Sequence, residues 1–236
     1  MNLFYAPNCS AGECTLGEEE SKHALKVLRL AIGDSIQVTD GKGKCYKAAI
    51  ASLDSKCCKV DLLNALPTPA RRLWSLHIAI APTKNNSRLE WFLEKACEIG
   101  VDSITPILCE HSERRKIKTE RLEKILLGAM KQSQQYYLPV LNPLMSFDEF
   151  LSVTGADAST TYMASYKDGN KELVDACQPG QHTTVMIGPE GDFSEAEKER
   201  AKLNGIVAVN LGQTRLRTET AGIVAAHTFA MINKIR

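Results

Sequence analysis

Hydrophobic positions along the chain change period after residue 69. Before it, SIQVTD (35–40), CYKAAIASL (45–53) and CCKVDLL (57–63) are β-branched or alternate apolar with polar. Asp40-Gly41 and Asp54-Ser55-Lys56 separate them, so the pattern predicts short antiparallel strands. One helical stretch, EEESKHALKVLRL, precedes them, with its glutamates at the N-terminal end and its basic residues towards the C-terminal end, as the helix dipole favours. A small β-barrel with one helix fits this pattern. Pro67-Thr68-Pro69, followed by Arg71-Arg72, reads as the linker because X-Pro bonds favour extended backbone and stop regular elements.

Beyond the linker, strand and helix patterns alternate. LHIAIA (76–81) predicts a buried strand, and Ser87-Arg88-Leu89-Glu90 reads as a capping box opening a helix. Leu89, Phe92, Leu93, Ala96 and Cys97 share one face of that helix, and Gly100 sits where a helix-ending C′ glycine belongs. SITPIL (103–108) and a helix over Thr119–Gln134 follow, the latter with Leu122, Ile125, Leu126, Ala129 and Met130 inward. Four more units come next: LPVL with SFDEFL, TTYMAS with KELVDAC, TTVMIG with SEAEKERAKLN, and IVAVNL with a terminal helix. Such alternation predicts an α/β domain with a mostly parallel sheet. Residues 1–69 and 70–236 are the expected domains. On the terminal helix, Thr220, Val224, Thr228, Met231, Ile232 and Ile235 read as a packing stripe, for the core or for a dimer.

The 236 residues carry a net charge of +1, with 44% hydrophobic and 24% charged residues, an ordinary globular balance. No run approaches the ~18 apolar residues of a membrane span. The N-terminus, MNLFYAPNCSAG, has no basic start leading into an apolar block, so a cytoplasmic protein without membrane association is expected. The eight cysteines form no Cys-x-x-Cys, and the five histidines join them in no zinc pattern. Neither a metal nor a disulfide is expected, and the cysteines read as reduced, buried small side chains. Basic residues cluster twice. Lys22, Lys26 and Arg29 fall at i, i+4 and i+7, and HSERRKIKTERLEK (111–124) holds six Lys or Arg against three Glu. A solvated helix face explains such clusters as readily as RNA does.

Open parallel sheets bind ligands on the loops leaving the carboxyl ends of their strands. Three of those loops stand out: Ala164-Ser165-Tyr166-Lys167-Asp168-Gly169, Gly188-Pro189-Glu190-Gly191-Asp192-Phe193, and LGQTRLRTETAG (211–222). In the second, proline at i+1 and glycine at i+3 suit a type I turn, and Ser194 with Glu197 caps the helix that follows. No phosphate-cradling glycine motif is present, so the ligand is not read through a pyrophosphate. Glycine-gated backbone instead suits an adenine edge and a ribose.

IGPEGDFS followed by LGQTRLRTETA resembles the RsmE family of SPOUT methyltransferases, which methylate N3 of a uridine in 16S ribosomal RNA. The likeness continues in HALKVLRLAIGDSIQVTDGKGKCYKAAI, similar to that family's PUA-like RNA-binding domain, in TKNNSRLEWFLEKACEIGVDSITPILCEHSER, similar to the opening of its catalytic domain, and in AMKQSQQYYLP. The resemblance implies a C-terminal trefoil knot, bound S-adenosyl-L-methionine and a homodimer with the site at the subunit interface. It implies the small ribosomal subunit or its RNA as partner. Motif matching places cofactor contacts at Ile187, Gly188, Pro189, Glu190, Gly191, Leu211, Gly212, Leu216 and Arg217, with Met163 added from the preceding strand end. Arg217 is the candidate for stabilising charge on the base; pairing with Glu219 is its structural alternative. Glu219 is the candidate proton acceptor or a first-turn complement to the helix dipole, and Thr218 the N-cap. His23, Lys26 and Arg29, or Arg114, Arg115 and Lys116, are candidate RNA contacts. The chain departs from the family at Lys131-Gln132-Ser133, Gln135 and Tyr137, where many members carry Glu-Gln-Ser and arginines. It also departs at Arg215, where an apolar residue is common. Arg215 and Arg217 either face one side together to share an anion, or Arg215 points to solvent. Two other readings stand beside this one: an RNA-binding protein without catalysis, and a nucleotide-dependent α/β enzyme acting on a small molecule.

Overall fold

The computed structural model describes residues 2–9, 12–154, 160–167 and 169–234; Asp168 and Ile235 lie outside them. The chain divides into two compact units, Met1–Arg71 with Leu127–Leu138, and Arg72–Leu126 with Pro139–Arg236. The first unit therefore takes in a segment from the middle of the chain.

In the first unit, β1 (Leu3–Tyr5), β2 (Glu13–Thr15), β3 (Ser35–Thr39), β4 (Cys45–Ser52) and β5 (Lys59–Ala65) form a sheet ordered β1-β3-β4-β5-β2. The β1–β3 pair is parallel and the others antiparallel. Phe4, Leu16, Ile36, Val38, Ile50 and Val60 form its core. The predicted single helix is α1 (Glu18–Lys22) running into a π-helical turn, His23–Val27. Arg29 then adopts a left-handed φ of 53°. The wider turn and the reversal at Arg29 break the i, i+4, i+7 stripe of Lys22, Lys26 and Arg29.

The middle segment is tied into this unit by backbone. Leu138 N donates to Gly41 O at 2.8 Å and Gly43 N to Tyr136 O at 2.8 Å. Gly43, at φ 105°, lies directly beneath the Tyr137 ring, where a Cβ would collide. Lys131, the charge-reversed departure, pairs with Glu20 of α1, whose other oxygen accepts from Tyr5 N at 3.1 Å. The structure corrects the cysteine reading at one place. A turn from Ala6 to Cys9 brings the Cα atoms of Cys9 and Cys14 to 4.9 Å, and the two form a disulfide. This link depends on a local turn that the cysteine spacing does not report. The remaining six cysteines are free, and five of them, Cys45, Cys58, Cys97, Cys109 and Cys177, are buried. Burial pushes the Cys97 thiol up to about 12 and raises Cys45, Cys109 and Cys177 as well. Those four thiols stay neutral and serve as packing, not as nucleophiles.

The second unit is an eight-stranded parallel sheet. Its elements are β6 (Leu76–Ile80), α2 (Asn86–Ile99), β7 (Ser103–Leu108), α3 (Thr119–Gln132, counted with the first unit from Leu127), β8 (Val140–Leu141), β9 (Met145–Ser146), α4 (Phe147–Thr154), β10 (Thr160–Ala164), β11 (Lys171–Glu172), α5 (Leu173–Ala176), β12 (Thr183–Ile187), α6 (Glu195–Leu203), β13 (Val207–Asn210) and α7 (Thr218–Lys234). The order is β11-β13-β10-β12-β6-β7-β8, with β9 also on β7. Leu89, Phe92, Leu93, Ala96 and Cys97 of α2 are all buried, and Gly100 ends that helix at φ 100°. The N-cap, however, is Asn85, whose side chain accepts from Ser87 N; Glu90 pairs with Arg121. An asparagine two residues upstream captured the cap expected of Ser87. Among the described residues no helix is long and apolar enough to cross a membrane, and no group of three or more His, Cys, Asp or Glu could hold a metal.

Helix α7 follows β13 and packs against α2, α5, β6 and β12. Its buried residues are Thr218, Glu219, Gly222, Ala225, Ala226 and Phe229. The expected stripe is thus displaced around the helix: Met231 stays 43% exposed, whereas Gly222 is the point of closest approach. A Cβ at Gly222 would stand 2.5 Å from Phe92 Cε2 and 3.2 Å from Ile80 Cδ1, both in fully buried side chains. Gly222→Ala is therefore expected to destabilise the chain by about 1–3 kcal/mol through overpacking. The same change at Gly128 of α3, where a Cβ meets nothing within 4 Å, should be neutral or stabilise by up to ~1 kcal/mol. Urea denaturation of the two variants measures both effects.

Candidate active site

Strand β12 is buried throughout and delivers Ile187 to the carboxyl edge of the sheet. The next residue has to be small: a Cβ at Gly188 would lie 3.1 Å from the Phe193 ring. The turn beyond is closed by Asp192 N donating to Pro189 O at 2.9 Å, one residue later than the proline-at-i+1 register predicted from sequence. Asp192 adopts a left-handed φ of 63°, which aspartate tolerates better than most residues. Ser194 and Glu197 form the expected capping box on α6.

Neighbouring loops clamp this turn. Lys84 N donates to the Glu190 carboxylate at 3.1 Å, and Arg215 Nη2 donates to Glu190 O at 3.2 Å. His111 Nδ1 lies 3.1 Å from Gly191 O and 3.0 Å from Asp192 O, both acceptors, so this nitrogen carries the proton. Thr218 Oγ1 donates to Gly188 O at 3.1 Å. That bond corrects the N-cap reading of Thr218: it is the first helical residue, Arg217 O accepts from Ala221 N at 2.7 Å, and the hydroxyl holds the glycine loop to α7.

These loops enclose a cavity of about 410 Å³ lined by Ala164, Tyr166, Ile187, Gly188, Pro189, Glu190, Asp192, Arg215, Leu216, Arg217, Thr218 and Ala221. Its volume lies in the range of small-molecule sites. The structure thus brings together Ile187, Gly188, Pro189, Glu190, Leu216 and Arg217 of the predicted set. Four other predicted contacts, Gly191, Leu211, Gly212 and Met163, are absent from its walls. Met163 is core, 2% exposed, and Gly212 uses its N–H on the Glu172 carboxylate at 2.8 Å. Sequence reasoning gave no site role to Tyr166, Asp192 or Ala221. The first two lay in loops singled out for their glycines, and Ala221 had no chemical signal to carry.

Arg217 is exposed, and its side chain makes no hydrogen bond or ion pair among the described residues. Its structural alternative, pairing with Glu219, does not occur. Glu219 is 7% exposed and faces Arg88 of α2 at 3.6 Å, with its second oxygen buried and without a hydrogen-bond partner. Arg215 does not point only to solvent: its Nη2 donates to the Glu190 carbonyl. Of the basic loop, Arg114 is committed to the carbonyls of Thr83 and Lys84, at 2.6–3.2 Å. Arg115 and Lys116 are exposed beside it and line a separate 460 Å³ recess. His23, in the first unit, is exposed and packs at 6.0 Å on Phe4; Lys26 and Arg29 are exposed.

Residues 70–230 match the family described as RNA methyltransferase domain, and residues 16–63 the RNA methyltransferase PUA domain. The chain belongs to the RNA methyltransferase family. The methyltransferase domain match covers every wall of the cavity. A probable rRNA-methyltransferase from Porphyromonas gingivalis is similar in structure, with 41% identity, 99% of each chain covered and a TM-score of 0.86. The ribosomal RNA small subunit methyltransferase E of Neisseria gonorrhoeae, solved bound to S-adenosyl methionine, has 28% identity, 96% of each chain covered and a TM-score of 0.86. The curated ribosomal RNA small subunit methyltransferase E of Bacillus subtilis is 29% identical, over 88% of this chain and 85% of its own.

The Arg88–Glu219 pair yields a stability test. Arg88→Ala leaves a buried carboxylate unpaired and should cost about 1–3 kcal/mol, the lower side of a buried pair's range because Arg88 is partly exposed. Adding Glu219→Gln removes the stranded charge and should restore most of that loss, as read by urea denaturation of the single and double variants.

Proposed function

We propose that this chain methylates N3 of a uridine in small-subunit (16S) ribosomal RNA, using S-adenosyl-L-methionine, in the cytoplasm and as a homodimer. One observation carries the reading: an exposed, unpaired arginine, Arg217, stands in the wall of the same cavity as the backbone-lined turn Ile187–Glu190. The cavity fits the cofactor's chemistry, since its size suits a nucleoside and no phosphate-cradling glycine motif lines it. Ile187, Gly188, Pro189, Glu190 and Leu216 would hold it. When bound, S-adenosyl-L-methionine supplies an electrophilic methyl group.

The chain's own groups act on the uracil. N3 carries a proton and is a poor nucleophile until that proton leaves, when negative charge spreads onto O2 and O4. Arg217, beside the N-terminus of α7, is placed to stabilise that charge, and the helix end adds to the same field. Thr218 fixes the distance from this arginine to the glycine turn through Gly188 O. Glu219, turned away to Arg88, acts as a positioning residue for the first turn of α7 and not as the base. The PUA domain (residues 1–69, with His23, Lys26 and Arg29) and the exposed Arg115 and Lys116 hold RNA, whereas Arg114 shapes the loop. Trp91 on α2 and Met231 on α7, both more than 40% exposed, support a dimer through these helices. The return of α7 from β13 to β6 and α2 supports the knotted threading.

The test is to incubate the protein with methyl-labelled S-adenosyl-L-methionine and small ribosomal subunits lacking the modification, then map the label. Label on uridine N3 is expected; no transfer together with no cofactor binding would exclude the function. Arg217→Ala should lower the transfer rate by about 100- to 1,000-fold with the fold retained. Near-normal turnover would remove Arg217 from its role.

A further inference from the structure

Uracil N3 lies on the base's pairing edge, so a base modified there must leave its pair and stack and be held by something flat. This inference rests on the methyltransferase reading. The 410 Å³ cavity has a single aromatic wall, Tyr166, and that side chain is 59% exposed.

The backbone carrying Tyr166 is fixed on both sides. Ser165 N donates to Val209 O at 3.1 Å, Ser165 O accepts from Asn170 Nδ2 at 2.9 Å, and Ser165 Oγ donates to Asp192 at 3.2 Å. Lys167 N donates to Asn210 Oδ1 at 3.1 Å. A ring on so constrained a loop loses little freedom when a base stacks on it.

Tyr166 is also the one residue shared with a second cavity of about 660 Å³. In that second cavity Lys198 is spent on Asp192 and Glu195. Lys167 and Lys202 are exposed and have no ion-pair partner among the described residues. One side of the tyrosine thus offers Arg217 for a charged base, and the other offers the Lys167 and Lys202 ammonium groups for the next phosphate, with the exposed Glu199 carboxylate also in that wall. That order of groups matches a nucleotide and its neighbour.

We propose that Tyr166 is the residue on which the target uracil stacks, partitioning the base from its flanking nucleotide, whose phosphate enters the Lys167–Lys202 cavity.

The test uses two short RNAs on one backbone, one with a single central uridine and otherwise abasic, the other wholly abasic. Wild type and Tyr166→Phe should bind the uridine probe more tightly by roughly 5- to 150-fold, measured by fluorescence anisotropy without cofactor. Tyr166→Ala should lose that preference while its affinity for the abasic probe stays within about twofold. With whole subunits, kcat/KM should fall in Tyr166→Ala by a similar factor and recover in Tyr166→Phe. No preference in the wild type, a preference kept by Tyr166→Ala, or a loss confined to cofactor affinity would each overturn the assignment. Absence of methyl transfer by the wild-type protein would instead refute the methyltransferase reading, and the two-probe comparison would still decide Tyr166.

Discussion

The site depends on how closely α7 can approach the sheet. Two contacts set that approach. Gly222 lies against Phe92 and Ile80 with no room for a methyl group, and Thr218 Oγ1 donates to the Gly188 carbonyl. The first brings the helix in; the second joins its first turn to the turn leaving β12. Arg217 precedes that turn, so its guanidinium is carried to the cavity wall by the packing of the helix behind it. Gly188 meets a matching demand from the other side, because the Phe193 ring occupies the space a side chain would need.

Charge around the cavity divides into groups that build it and groups left over. Arg215, Arg114, Lys198 and Arg88 are spent on carbonyls or carboxylates. Arg217, Arg115, Lys116, Lys167 and Lys202 are exposed without such partners among the described residues. A net charge of +1 therefore conceals a local surplus where a polyanion would meet the second unit. The buried thiols, with Cys97 pushed up to about 12, take no part in this chemistry.

Much of the fold was legible because its signals are local and periodic. The inward face of α2, the capping box of α6 and the glycine at the end of α2 all follow from spacings of three to four residues, or from one residue's conformational freedom. What escaped depends on contacts distant in sequence or on competition between near-equal neighbours. Asn85 displaced Ser87 as cap, the π-helical turn split the first helix, and the middle segment joined the first unit through backbone pairing. The GPEG and LRTET segments pointed to loops that line the cavity but not to which residues form its wall. Glu219 carried the chemistry expected of a base, yet its direction was decided by Arg88, which is far away in the chain.

In the proposed function, three loops meeting at the carboxyl edge of the sheet bind S-adenosyl-L-methionine beside Arg217. Amide hydrogen exchange with and without saturating cofactor tests it most directly. Added protection is expected in residues 163–167, 187–192 and 211–218, with little change in the first unit. Protection absent from those three segments, or confined to residues 112–116, would contradict it.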